Sequence, residues 1–377
     1  MNKNQLHIVI GVEHYNTTGL IRSLGEAGIN PVYIAIKNKC KISSTSKYIS
    51  KCHFVNDVEE GYALLMNEYG KTYKDYEKPI VYCIDDTCMS FLDYHYEEMV
   101  DRFVFFNAGE KGRINFYMDK YNILKLAKKC GLNILETKVC KRGEIPLDVS
   151  YPIITKSISP VVGGHKSDVF ICKDSIELVE AYKNIKAETV LIQRFIEKEN
   201  ECEIDGISIN HGNDVLHTMK IQYNYNIEGY YSPYMTVDNF TDVSIDIALK
   251  KMICEIGFEG IYQAEFLIDK EGNWFFSEIN FRNSTWSYAS TVAGMNLPYL
   301  FYKSTKQRFI PVDALVTIRE PFTAMVEPID YQKRVVERGM DKIEWLKDVL
   351  NCRCHYYYNK NDMEPFFEMI RNNERLR

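Results

Sequence analysis

The sequence predicts an α/β chain that begins with a Rossmann-like, doubly wound parallel sheet and then passes into a region of antiparallel hairpins and helices. Three observations predict it. Up to residue 113, buried-strand runs alternate with helical patterns, the mark of a parallel sheet. Beyond it, a strand-loop-strand unit surrounds the paired glycines Gly163 and Gly164. Further on, two strand-like arms joined by Lys270-Glu-Gly-Asn273 form a hairpin carrying two glutamates. At 377 residues the chain exceeds one ordinary core, so two or three domains are expected.

Taken in order, His7-Ile-Val-Ile-Gly-Val12 is a buried strand, residues 19–28 a helix closed by glycine, and Pro31-Val-Tyr-Ile-Ala-Ile36 a second strand. Residues 80–84 and 103–106 are also strand-like. No dinucleotide fingerprint follows the first strand, which continues as Val12-Glu-His-Tyr-Asn-Thr-Thr-Gly19, and no G-x-x-x-x-G-K-[ST] loop occurs. Ligands on open parallel sheets sit at the carboxyl ends of strands. That makes His14, Asn16, Asp85 and Asp86 substrate-side candidates, although turn or cap chemistry explains each of them as well.

In the middle region Asp119 can cap a helix over residues 120–130 that Gly131 would end. Residues 151–156 read as a strand ending in Lys156, followed by the small-residue loop 157–165 and a second strand over 168–172. Paired glycines let backbone N–H groups approach phosphate closely, and Lys156 could add a point charge. An ordinary hairpin turn explains the glycines too. Asp174-Ser-Ile-Glu177 is a variant capping box, and residues 189–196 form another buried strand with Glu201 and Glu203 just beyond.

The hairpin arms are Ile261-Tyr-Gln-Ala-Glu-Phe-Leu-Ile-Asp269 and Trp274-Phe-Phe-Ser-Glu-Ile-Asn-Phe-Arg282. If Asp269 pairs with Trp274, Glu265 faces Glu278. Their repulsion is about 3 kcal/mol at about 5 Å and an effective dielectric near 20. A hard divalent cation would neutralise them, and Mg²⁺ usually takes one or two protein carboxylates. Alternation with period two puts Glu278, Asn280 and Arg282 on one side and Ser277, Ile279 and Phe281 on the other. A solvated hairpin face is the plainer alternative, and a one-residue slip would separate the glutamates.

Composition removes several classes of function. Forty-six basic against 52 acidic residues give a net charge of −6, with no footprint for nucleic acid or an anionic membrane. Eleven cysteines without a C-x-x-C support neither a disulfide framework nor a zinc site. The N-terminal apolar run is too short for a signal peptide, and nothing is long enough to span a membrane, so a cytoplasmic protein with reduced thiols is expected. Tyr223, Tyr225, Tyr230, Tyr231 and Tyr234 crowd a loop that could cover an acceptor or simply be tacked down by its rings. His165 is the one histidine placed near the glycine loop.

Asp119-Lys120, Lys156, Gly163-Gly164, Gln193-Arg-Phe-Ile196, Glu201, Glu265, Glu278-Ile-Asn-Phe-Arg282 and Thr291-Val-Ala-Gly-Met-Asn-Leu-Pro298, in that order, resemble the ATP-grasp carboxylate-amine ligases. The resemblance implies an α+β ATP-grasp fold over 114–312, with a first subdomain at 114–190 and a second at 191–312. Residues 1–113 would be a pre-ATP-grasp substrate domain and 313–377 a C-terminal extension. It implies that ATP lies between the subdomains, with Lys120 and Lys156 on its phosphates and the loop of Gly163 and Gly164 as a lid. Gln193, Arg194 and Ile196 would contact adenine, and Glu201 the ribose. Glu265, Glu278 and Asn280 would hold Mg²⁺, or Mn²⁺ in its place. Arg282 and Lys156 would serve the reacting groups, Arg282 beside the transferred phosphate and the carboxylate. Gln193 departs from the family, whose members often carry Glu there, though an amide can still meet an adenine edge.

The implied reaction is ADP-forming: a small carboxylate, expected to be an amino acid, becomes an acyl phosphate that an amine attacks. Phosphoryl transfer needs positioning and charge neutralisation more than a protein nucleophile. The amphipathic stretch 341–350 resembles the tails of ligases of bacterial cell-wall and surface-glycan synthesis, D-aspartate ligases among them. Two alternatives remain: a carboxy- or carbamoyl-phosphate-forming enzyme, and a non-catalytic ATP-binding scaffold. The expected partners are small-molecule carboxylate and amine substrates, with no nucleic acid, no membrane insertion, and a homodimer as a candidate assembly.

Overall fold

Strand β1 (His7–Val12) lies at the centre of a five-stranded sheet because every one of its residues through Gly11 is buried on both faces. The computed structural model describes residues 5–37, 41–158, 168–227 and 232–372. Beside β1 run β2 (Val32–Ile36), β3 (Lys51–Val55), β4 (Ile80–Cys83) and β5 (Val104–Phe105) in the order β3-β2-β1-β4-β5, with every pairing parallel. Order and direction agree with the strand-helix alternation of the sequence. The helix after β1 spans Tyr15–Glu26 and starts before the predicted residue 19, because His14 caps it and accepts from Asn16 N–H at 3.2 Å. Gly11, one residue before the strand's end, has φ +145°, and a Cβ there would fall 2.2 Å from Ile84 Cγ1, so only glycine lets β1 pass the end of β4 this closely.

A four-stranded antiparallel sheet follows: β6 (Thr137–Lys141), β7 (Ile153–Lys156), β8 (Ile171–Cys172) and β9 (Thr189–Arg194), ordered β6-β9-β7-β8. The strand predicted over 168–172 shrinks to its last two residues. Gly163, Gly164 and His165 lie outside the described residues, as do Tyr230 and Tyr231. The predicted helix is present as Lys120–Cys130, with Asp119 accepting from the N–H groups of Tyr121 and Asn122 and Gly131 closing it at φ 104°. Asp174 likewise caps Ser175–Tyr182. This sheet packs its own small core around Ile153, Leu178 and Ile192.

The third sheet has seven strands in the order β14-β13-β10-β11-β12-β15-β16. They are β10 (Asn200–Ile209), β11 (Asp214–Tyr223), β12 (Tyr234–Asp238), β13 (Gly260–Ile268), β14 (Trp274–Asn280), β15 (Phe322–Met325) and β16 (Cys354–His355). The helix expected over 341–350 forms as Lys342–Asn351, capped by Asp341. One continuous core joins the parallel sheet, the helix Lys120–Cys130 and the inner face of β10, β13 and β14. Among the described residues no helix is long and apolar enough to cross a membrane.

Candidate functional site

The hairpin of β13 and β14 sets two carboxylates against each other: Glu265 pairs with Glu278, Ala264 with Ile279 and Gln263 with Asn280. The route to that register differs from the expected one. Ile268, not Asp269, pairs with Trp274, and a bulge between Glu265 and Phe266 on the ladder absorbs Ser277 and restores the opposition. The bulge also turns Ser277, expected on the far face, toward the same cleft as Glu278.

The ladder continues beyond the hairpin. Glu203 on β10 pairs with Glu265, so three glutamates stand in a row across β10, β13 and β14. Sequence reading noted Glu203 without giving it a place. Its only local signal was its spacing of two from Glu201, which puts both on one face.

Around the acid pair the other site residues converge. Lys120, at the first position of its helix, forms an ion pair with Glu278. Asn280 Nδ2 donates to Glu265 Oε1 at 2.7 Å, and its Oδ1 accepts from an Arg282 terminal nitrogen at 3.0 Å. Arg282 Nε also donates to Asp86 Oδ1 at 3.0 Å, so the parallel sheet helps hold the guanidinium. Lys156 Nζ donates to Gln193 Oε1 at 2.9 Å, and Gln193 Nε2 to Thr137 Oγ1 at 2.9 Å. Glu201 is ion-paired with Lys198, a partner that sequence reading missed.

The electrostatics follow from burial and sign. Lys120 beside Glu278 holds that carboxyl well below the usual range, while burial and then the charge of Glu278 push Glu265 up. Burial, followed by the charge of Lys120, lowers Lys156 to about 8. His14 is held neutral, at about 4, by burial and then by Arg282.

Two cavities meet at this acid wall. The larger, about 930 Å³, lies between the four-stranded and seven-stranded sheets. Its walls carry Lys120, Lys156, Gln193, Arg194, Ile196 and Glu201, with Ile123, Leu135, Phe195 and Leu267 as apolar surface. The smaller, about 500 Å³, opens at the carboxyl ends of β1 and β4, where His14, Asn16, Asp85 and Asp86 stand opposite Glu203, Tyr223, Arg282 and Trp286. Glu265, Glu278 and Asn280 belong to both. These carboxylate and amide oxygens are hard donors that suit Mg²⁺, and the lysine on Glu278 occupies a position that favours positive charge. Among the described residues no three Asp, Glu, His or Cys side chains converge to hold a metal alone, so a cation here would need further oxygens from water or phosphate.

A family model described as carbamoyl-phosphate synthase L chain, ATP binding domain, matches residues 119–307. The carbamoyl phosphate synthase large chain, C-terminal section, of Methanopyrus kandleri is 32% identical over 104 residues, covering 26% of this chain and 19% of that protein. The chain thus spans about a fifth of that curated relative's length. Among solved structures, a biotin carboxylase–β-γ-ATP complex from Campylobacter jejuni superposes with a TM-score of 0.67 at 14% identity, over 85% of this chain and 75% of that one. An L-amino acid ligase from Bacillus licheniformis gives 0.65 at 14%, over 87% and 81%. N5-carboxyaminoimidazole synthetase from Staphylococcus aureus, complexed with ADP, gives 0.66 at 14%, over 90% and 87%. At these identities the likeness concerns the fold.

Proposed function

The chain belongs to the ATP-grasp family represented by the ATP-binding domain of the carbamoyl-phosphate synthase L chain, and from that premise we propose that it is an ADP-forming ligase that joins a small carboxylate to an amine. The observation that carries the reading is the meeting of two cavities at Glu265, Glu278 and Asn280. A nucleotide in the larger cleft would present its γ-phosphate where a carboxylate in the smaller one can reach it.

The residue roles are part of the proposal. Lys120 and Lys156 hold phosphates, Gly163 and Gly164 cover them, Gln193, Arg194 and Ile196 border adenine, and Glu201 holds the ribose. Glu265, Glu278 and Asn280 hold Mg²⁺, which when bound neutralises charge on the phosphates. Arg282, steadied by Asp86, stabilises charge developing between phosphate and carboxylate. Residues 1–113 serve as a Rossmann-like substrate domain, 114–312 as the grasp and 313–377 as an extension to it. We place the protein in the cytoplasm, where ATP is supplied and the described cysteines, all free thiols, stay reduced. A role in cell-wall or surface-glycan synthesis and a homodimeric assembly belong to the same proposal.

ADP release measured over pairs of amino acids tests the reading. Turnover that requires both a carboxylate and an amine supports it. Release dependent on bicarbonate favours the carboxy- or carbamoyl-phosphate alternative, which the family model's description supports. Tight ATP binding without turnover favours a scaffold. Glu278→Gln is expected to abolish turnover with the fold intact by circular dichroism; near wild-type activity would sink the metal assignment.

A further inference from the structure

The smaller cavity holds one feature that neither the nucleotide nor the metal ligands use. Glu203 is 4% exposed and lines this cavity. Its Oε1 accepts from the Tyr223 hydroxyl, while its Oε2 has no hydrogen-bond partner. A buried carboxylate oxygen left bare is costly unless something fills the place.

The other acids of the cavity are differently disposed. Asp85 is committed to the N–H groups of Val12 and Cys88, at 3.1 and 2.8 Å. Asp86 holds Arg282. Glu265 and Glu278 face the nucleotide cleft as well, whereas Glu203 lines the smaller cavity alone. Among the described residues no three metal-ligating side chains converge, and the Mg²⁺-ADP arm of the test below separates a substrate role for Glu203 from a metal one.

Arg282 also lines this cavity, next to the amide of Asn280. One wall therefore offers a guanidinium beside the acid pair, and another a carboxylate oxygen in want of a donor. A chamber of about 500 Å³ with such a pair complements a small zwitterion. Resting on the ligase reading and on the amino-acid substrate expected there, we infer that Glu203, held in place by Tyr223, accepts from the substrate's ammonium while the substrate's carboxylate lies toward Arg282. Glu203 is then the residue that selects an amino acid over a plain carboxylic acid.

The test is calorimetric titration of the full chain, with Mg²⁺ and ADP present, by each common L-amino acid and by its deaminated counterpart, such as L-alanine against propionate. At least one amino acid is expected to bind at least tenfold more tightly than its counterpart, and Glu203→Gln should erase that difference while leaving Mg²⁺-ADP affinity within about threefold. The inference fails if no amino acid binds, if the counterpart binds equally, or if Glu203→Gln binds as wild type does. It fails also if that variant loses Mg²⁺-ADP affinity tenfold, which would put Glu203 in the metal site. Tyr223→Phe removes only the hydroxyl that steadies Glu203 and should weaken the amino acid several-fold; should Glu203→Gln not fold, an unchanged affinity in Tyr223→Phe overturns the inference. The two readings fail on different measurements: absence of turnover with every pair defeats the ligase reading, whereas equal binding of amino acid and counterpart defeats this inference.

Discussion

Asp205 is fully buried on β10, where its Oδ1 accepts from Gln263 Nε2 at 3.0 Å and from Ser284 Oγ at 2.7 Å while Oδ2 lacks a partner. Burial pushes its carboxyl up to about 7, against the pull of those two donors. An unfolded Asp loses its proton near 3.9, roughly three units lower. Between those pH values the folded state binds more protons, so Asp205 makes stability fall as pH rises from about 4 to about 7, by at most about 4 kcal/mol, and then level off. Asp205→Asn keeps the shape and cannot ionise. Urea denaturation should find it more stable than wild type at pH 8 by about 1–4 kcal/mol, with the gap closing near pH 4; an equal gap at both pH values would refute the cause. The residue scale is also where sequence reading reached furthest. Glu265, Glu278, Asn280, Arg282, Lys120 and Lys156 all border the joined cavities, because short-range patterning sets where each lies on its own element. Glu203 and Trp286 were not given a place there. Glu203 acquires its neighbour Glu265 only when β10 pairs with β13, a contact between distant segments that no local pattern encodes.

On the scale of elements, the β13-β14 hairpin places the acid pair through two departures that offset each other. Pairing Ile268 with Trp274 would, in a regular ladder, bring Ser277 opposite Glu265. The bulge at Ser277 moves Glu278 into that place and reverses the alternation, so that Phe276 and Ile279 both stay in the core. The opposition was therefore legible, and the turn and bulge that produce it were not, since four-residue and five-residue turns with Gly and Asn look alike in sequence. Deleting Ser277 should regularise the ladder and keep Glu265 opposite Glu278, with Mg²⁺-ADP affinity within about threefold of wild type. Deleting Ile279 should instead drive Asn280 toward the core face and abolish that affinity, since a one-residue slip reverses every side chain beyond it. Fluorescence titration of both variants, alongside thermal melts, checks the contrast. Loss of affinity in the Ser277 deletion would show that the bulge serves the site by more than its register.

Across the whole molecule, the segment read as a C-terminal extension is built into the body of the protein. It supplies β15 and β16 to the seven-stranded sheet, and β16 is two residues long and pairs in parallel, too short to carry a periodic signal. Past that strand the chain returns to the first sheet's helix Tyr15–Glu26. There Arg22, with no exposed surface, donates through Nε to Asp362 Oδ2 at 3.0 Å and through its terminal nitrogens to the carbonyls of Tyr356 and Tyr357 at 2.8 Å each. Asp362 also accepts from Lys47 N–H and Ser46 Oγ, both at 2.9 Å. Each nitrogen of the Arg22 guanidinium and both carboxylate oxygens of Asp362 thus have a partner, which is the condition under which a buried ion pair holds together. Removing one partner leaves the other charge buried and uncompensated, at about 3–5 kcal/mol. Arg22→Met and Asp362→Leu are each expected to lose about that much in denaturant unfolding. The double variant should lose clearly less than the sum, with a coupling of at least about 1 kcal/mol, because each single change already contains the penalty of the orphaned charge. Strict additivity would mean that the pair does not tie the end of the chain to its beginning.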